Sequence, residues 1–363
     1  MKRTTCLLAT LGLGLVLAQA AVPGVAAAKV AAAPAKAAKG PAKPKPEAQV
    51  LRADAKAYLD NLAKTPRPPF TDATIAQIRK IPPQVIEKMM SAAEAPVPAL
   101  ALDRKLTMPG PGGTMDLRLF DPRADRGPGP VVVFYHGGGM VVGSIGTHAA
   151  LAAEMARQLD LPVVSVEYRL APEHKWPAAP DDAEAAARWV AANGAALGRE
   201  ASSLVLTGDS AGGNLTLLTA IALRDKPAAV PVKMMIPIYP MTDASKPYPS
   251  TLLYSDGYGL STVDMGYYQR AYAAKVDSPR HSPLLNDLKG LPPTVLVTAS
   301  FDPLRDGGRA FAAKLIQAGV KVSYYEAAGN IHGFATYRKA IPSAQADLDA
   351  VLALSRAMLA APK

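Results

Sequence analysis

The sequence predicts an α/β fold, with a mostly parallel central sheet covered by helices on both faces. Three observations carry that expectation. From residue 101 onward, strand-like apolar runs alternate with helix-like runs, as parallel strands joined by crossover helices do. The residues able to do chemistry fall just after strands, at the carboxyl edge of the sheet, where ligands bind in such folds. Third, Gly208-Asp209-Ser210-Ala211-Gly212 lies between the apolar run Ser203–Thr207 and the helix-like run Asn214–Leu223.

In chain order, the first segment stands apart from that fold. Met1-Lys2-Arg3 is basic, Leu7–Ala20 is apolar, and Ala18-Gln19-Ala20 is a small-residue cleavage site. This predicts a secretory signal peptide over residues 1–20, with a second cleavage point as late as residue 28. The apolar stretch is short for a membrane span, so no stable membrane insertion is expected. The expected location is exported, either periplasmic or secreted. Cys6 is the chain's single cysteine and falls inside that segment. The mature chain then has no disulfide, although export would permit one.

Residues 21–50 are rich in Ala, Pro and Lys, as in Pro41-Ala42-Lys43-Pro44-Lys45-Pro46, and read as a disordered, semi-extended linker. Residues 1–50 hold seven basic side chains against Glu47, which leaves only +4 of the formal +10 for the other 313 positions. The basic balance therefore concerns the leader and linker, and no nucleic-acid partner is expected.

Residues 51–100 read as amphipathic helices. Leu51, Ala55, Tyr58, Leu59 and Leu62 share one face, and two shorter helices follow around Ile75–Ile81 and Val85–Met90, broken at Pro82-Pro83. Leu102–Thr107 and Met115–Phe120 predict a strand pair with Gly110-Pro111-Gly112-Gly113 as its turn. Next come a strand over 131–135, a helix over 147–159, a strand over 163–168 and a helix over 181–192. The strand into the serine turn, a helix over 211–223 and a strand over 232–239 complete residues 101–240. Residues 241–292 contain no strand pattern but hold Tyr254, Tyr258, Tyr267, Tyr268 and Tyr272. In 293–363, strands are expected at Pro293–Thr298 and Val320–Tyr325, and then a loop, Ala327–Ile331, delivers His332. No internal repeat is visible.

A serine on a tight strand-to-helix turn is a nucleophile elbow, with its hydroxyl held out where a base can reach it. The loop His136-Gly137-Gly138-Gly139 follows the buried-strand pattern Val131–Tyr135. Such a glycine loop lets backbone N–H groups approach the oxygen on which negative charge develops in acyl transfer. Ala211, next after the serine, would add another N–H, while His136 is expected to hold the loop's shape. The base must follow the serine in the chain, which favours His332 among five histidines. His281 and His174 are expected on surface loops. The acid candidate is Asp302, which also reads as a helix cap before Pro303. Asp306 is the local alternative and Asp243 the remote one.

Five segments taken together resemble the hormone-sensitive-lipase-like esterases, the bacterial family IV carboxylesterases of the α/β-hydrolase fold. They are His136–Gly139, Tyr168-Arg169-Leu170-Ala171-Pro172-Glu173-His174, Asp209–Gly213, Asp302–Asp306 and His332-Gly333-Phe334. The resemblance runs from about residue 100 to the C-terminus and more weakly back to residue 50. It implies Ser210 as nucleophile, Asp302 as acid and His332 as base, with oxyanion hydrogen bonds from Gly138, Gly139 and Ala211. It implies that residues 51–100 and 241–292 form a helical cap over the site, with Phe70, Met89 and Met90 facing the acyl pocket. Arg169 and Glu173 are expected to pair near the elbow, with Asp182 close by, and Arg305 to pair with Asp306. Met140-Val141-Val142 stands where the family often has an aromatic, which would reshape the alcohol-side pocket. A homodimer through an exposed edge strand is a further expectation from the family.

The implied activity is hydrolysis of short- to medium-chain carboxylic esters through an acyl-enzyme. The same triad would serve a deacetylase or an amide or formamide hydrolase. No cofactor and no metal are expected, since no H-E-x-x-H occurs and no G-x-G-x-x-G follows the first strand. A binding protein of this fold would have lost catalytic groups, whereas Ser210, Asp302 and His332 are all present.

Overall fold

The computed structural model describes residues 49–361. The expected signal peptide and all but the last two residues of the expected linker lie outside them.

Eight strands form one sheet in the order β1-β2-β4-β3-β5-β6-β7-β8. β1 (Leu102–Gly110), β2 (Gly113–Asp121) and β4 (Val163–Val166) pair antiparallel, whereas β3 (Gly129–Tyr135), β5 (Ala201–Asp209), β6 (Val232–Ile238), β7 (Thr294–Phe301) and β8 (Val322–Ile331) extend β4 in parallel. The sheet is covered on both sides, so its central strands are apolar on both faces. Along β3, Val131, Val133 and Tyr135 enter one core and Val132 and Phe134 the other, as the two-residue period of a strand requires.

The first core is closed by α5 (Ala178–Ala192), α7 (Ala211–Asp225) and α10 (Arg305–Gln317), through Val190, Leu215 and Phe311. The second is closed by α4 (Ala149–Leu159) and α11 (Ser343–Ala360), through Leu151 and Leu348. A short α6 (Gly194–Leu197) precedes β5.

The N-terminal helices are α1 (Ala53–Lys64), α2 (Asp72–Ile78) and α3 (Pro83–Met90). Pro83 opens α3, so Pro82-Pro83 separates two helices as expected. Residues 241–292 hold α8 (Pro249–Leu253), α9 (Thr262–Tyr272) and a 3-10 turn, with no strand. The two segments meet: Phe70 packs on Tyr267 and Tyr268, the Tyr267 hydroxyl donates to Asp72, and Arg67 pairs with Asp264 at 2.5 Å.

Several boundaries differ from expectation, by three residues at the start of α5 and at the end of β7. The β1–β2 hairpin runs to its tip, leaving only Pro111 and Gly112 between the strands. β4 stops at Val166, two residues short of the expected end, although the Glu167 N–H still donates to the Asp116 carbonyl of β2. β8 continues through the stretch expected as a loop, Ala327–Ile331, and hands His332 over directly. Its irregular part is Gly329 (φ 76°), whose carbonyl accepts the Arg52 N–H, while its own N–H donates to Ser300 Oγ.

Candidate active site

β5 ends at Asp209 and α7 begins at Ala211, so Ser210 alone makes the turn. Its backbone is at φ 52°, ψ −113°, a region L-residues rarely occupy. The surroundings hold it there. Its N–H donates to the Ile238 carbonyl at 2.9 Å, and α7 follows at once. A Cβ at Gly208 or Gly212 would overlap the Tyr135 carbonyl oxygen, which is why both flanking positions are glycine.

Ser210, His332 and Asp302 come from the ends of β5, β8 and β7. His332 Nε2 lies 2.9 Å from Ser210 Oγ, and His332 Nδ1 lies 2.7 Å from Asp302 Oδ2. Asp302 is fully buried, and its other oxygen accepts the Leu304 N–H at 2.7 Å. The helix-cap reading of Asp302 is corrected: α10 starts at Arg305 with Leu304 at its N-cap position, so the Leu304 bond closes a turn ahead of the helix. Asp306 is engaged elsewhere, with Arg305 at 2.8 Å as expected, and Asp243 accepts from Tyr248 and Ser245.

The loop after β3 is built around glycine. Gly138 (φ 121°) and Gly139 (φ 63°) adopt left-handed backbone; a Cβ on the first would strike the Val142 carbonyl and on the second the Tyr268 ring. Both border the cavity in front of Ser210. Ala211 is the first residue of α7, so its N–H has no intrahelical acceptor. The Tyr168 hydroxyl donates to the His136 carbonyl at 2.7 Å and the two rings stack. Burial pushes the His136 imidazole down to about 3, so it is neutral and shapes the loop.

Two residues that sequence reasoning passed over belong here. Asp209 Oδ1 accepts the Gly137 N–H at 2.8 Å and lies 3.4 Å from His148 Nε2. Burial alone would raise the Asp209 carboxyl, but His148 beside it, with the Gly137 N–H, holds it below the usual range. The available signal was an acid at the end of an otherwise apolar buried strand.

Other expectations are corrected. Arg169 does not pair with Glu173. It donates to Asp182 through Nε and Nη2, both at 2.8 Å, while Glu173 takes Arg79 from the end of α2. His281 is buried, not on a surface loop; its ring meets Tyr272 and its carbonyl accepts from Asn214 of α7. His174 is exposed as expected.

Two cavities meet at Ser210, of about 670 and about 410 Å³. Phe70, Met90 and His332 line the larger, while Met140, Met241 and Tyr272 line the smaller. Met89 lines neither. Among the described residues, no group of three or more His, Cys, Asp or Glu could hold a metal ion, and no helix is long and apolar enough to cross a membrane.

A hydroxyl, an imidazole and a carboxylate chained at the carboxyl edge of this sheet, beside a glycine loop, define an α/β hydrolase. The family described by its alpha/beta hydrolase fold matches residues 132–336. The chain is 35% identical over 329 residues to carboxylesterase NlhH of Mycobacterium tuberculosis, spanning 86% of this chain and 99% of that protein. It is 37% identical over 250 residues to ethyl acetate hydrolase of Pseudomonas putida, spanning 67% of this chain and 78% of that protein. The solved structure of an esterase from Pyrobaculum calidifontis superimposes with a TM-score of 0.76 at 36% identity, covering 86% of this chain and all of that one. The chain belongs to the hormone-sensitive-lipase-like family of carboxylesterases.

Proposed function

We propose that the protein is a serine carboxylesterase acting on short- to medium-chain esters, with Ser210 as nucleophile, His332 as base and Asp302 as acid. The observation that carries this is the unbroken chain Ser210 Oγ–His332 Nε2–Asp302 at 2.9 and 2.7 Å. Ser210 Oγ attacks the ester carbonyl carbon and its proton passes to His332 Nε2. The carbonyl electron pair moves to oxygen, where the N–H groups of Gly138, Gly139 and Ala211 receive it. The C–O bond to the alcohol then breaks, and His332 returns the proton to the leaving oxygen. Water, deprotonated by His332, attacks the acyl-enzyme and releases the carboxylic acid and free Ser210. Asp302 orients the imidazole and stabilises its charged form throughout.

The cavities on either side of Ser210 fall in the size range of small-molecule sites and would take the acyl and alcohol parts, one each. Residues 51–100 and 241–292 form the cap that closes them. The protein acts after export, and its exposed edge strand β8 would support a homodimer; N-terminal sequencing of the secreted form and light scattering test these two points.

Turnover of p-nitrophenyl esters from acetate to palmitate, beside Ser210→Ala, tests the function. Activity on the short chains that falls by several orders of magnitude in the variant supports it. Absence of ester turnover, or turnover that survives the substitution, overturns it. Turnover of acetylated sugars or amides in preference to all these esters would favour the deacetylase or amidase reading.

A further inference from the structure

We infer that His148 is a positioning residue for this reaction: as an imidazolium it neutralises Asp209, the buried carboxylate that ties the oxyanion loop to the nucleophile turn. The inference rests on the esterase reading above.

Asp209 immediately precedes Ser210 and is 3% exposed. Besides accepting the Gly137 N–H, its carboxylate lies so close that a Cβ at Gly137 would collide with Oδ2. Gly138 and Gly139 follow directly, so this bond, together with the Tyr168–His136 contact, anchors the loop that receives the oxyanion. The anchor carries a cost. A buried negative charge beside Ser210 opposes the negative charge that develops on the substrate oxygen, and burial itself disfavours an unpaired carboxylate.

His148 supplies the missing countercharge. It sits at the N-terminus of α4, packed between the rings of Phe134 and His136, and borders the larger cavity. Nε2 is 3.4 Å from Asp209 Oδ1, and Nδ1 is 2.9 Å from Thr147 Oγ1. The Thr147 hydroxyl can itself donate to the Ser144 carbonyl at 3.0 Å. Nδ1 therefore has a hydrogen-bond partner and Nε2 a carboxylate at ion-pair distance, so both protons of an imidazolium face oxygen.

The groups facing His148 come from four elements. Asp209 ends β5. His136 follows β3 and is neutral. Glu94 follows α3 and pairs with Arg338 at 2.8 Å. Glu167 follows β4 and accepts the Ile145 N–H at 2.8 Å. Burial and the helix terminus both oppose a charged His148. Asp209, with a smaller effect from Glu94, outweighs burial and holds its pKa above the ordinary imidazole range. Burial pushes Glu94 and Glu167 up to about 7, so near neutrality Asp209 is the carboxylate that most needs this cation.

The test measures kcat and KM separately for the wild type, His148→Gln, Asp209→Asn and the double variant, from roughly pH 5 to 10. His148→Gln should lower kcat by about 10- to 100-fold, below the usual cost of removing an oxyanion donor, with KM within about twofold. Adding Asp209→Asn should restore much of that loss, because the amide oxygen still accepts the Gly137 N–H but carries no charge. Wild-type kcat should fall at alkaline pH in a step that His148→Gln lacks. A structural role alone would give a loss that is constant with pH and untouched by Asp209→Asn, and that pattern overturns the inference, as does an unchanged kcat in His148→Gln. If the variants do not fold, the wild type decides: an alkaline fall in kcat with unchanged circular dichroism supports the inference, and a flat alkaline limb overturns it. Ser210→Ala is run alongside. Turnover that survives Ser210→Ala defeats the esterase reading itself, whereas turnover that requires Ser210 but ignores His148 defeats only this inference.

Discussion

Asp302 serves two partners through its two oxygens, although it caps no helix. One oxygen accepts the turn N–H of Leu304 and the other faces His332. Asp302→Asn keeps the turn bond but presents the wrong group to the imidazole, so kcat should drop by about 10⁴-fold with an unchanged melting temperature. Stopped assays and calorimetry on the same preparation check both halves of that statement. Ser210, His332 and the glycines after β3 were legible as candidates because chemistry and steric need coincide in short motifs. At Gly208 and Gly212 the need is explicit, since a side chain at either position would enter the Tyr135 carbonyl. The partner of Arg169 was not legible. Glu173 is near in sequence, but Asp182 of α5 reaches the guanidinium, and Arg79 arrives from the N-terminal segment to take Glu173.

The elements follow their patterns wherever one face is apolar. Strand boundaries failed where small residues interrupt the pattern. Ala327-Ala328-Gly329 has weak strand propensity, yet β8 continues past it because β7 pairs on either side, Ala299 with Ala327 and Phe301 with Ile331, with the register shifting between. The N-terminal segment is joined to the body by a pair that the sequence did not announce: Glu94, just after α3, and Arg338, ahead of α11, are both almost fully buried. Glu94→Ala would leave the Arg338 charge unpaired in the interior and should cost about 3–5 kcal/mol, read as a lower urea midpoint with an unchanged slope.

At the scale of the whole molecule, buried titratable groups set how stability responds to pH. Burial lowers His281 to about 4 and His136 to about 3, so each resists protonation only when folded. The unfolded chain binds those protons first, and stability from these two groups is lost as pH falls below about 6.5. Glu94 and Glu167, raised to about 7, pull the other way between about 4.5 and 7 and flatten the wild-type curve. The difference between wild type and His281→Gln isolates one group. It should shrink by about 3 kcal/mol as pH is lowered from 6.5 to 4, and urea unfolding at a series of pH values measures it. His148 has a raised pKa, so its contribution is present below about pH 6.5 and lost as pH rises through its folded value. By itself the sequence determined the layered α/β class, the strand–turn–helix at Ser210 and the order serine, acid, histidine, because local periodicity and short-range steric demands are written into adjacent residues. Only the tertiary structure decided which charges pair, that His281 is interior, and that His148 stands beside Asp209. Those outcomes depend on burial and on distances between segments far apart in the chain, and no local pattern encodes them.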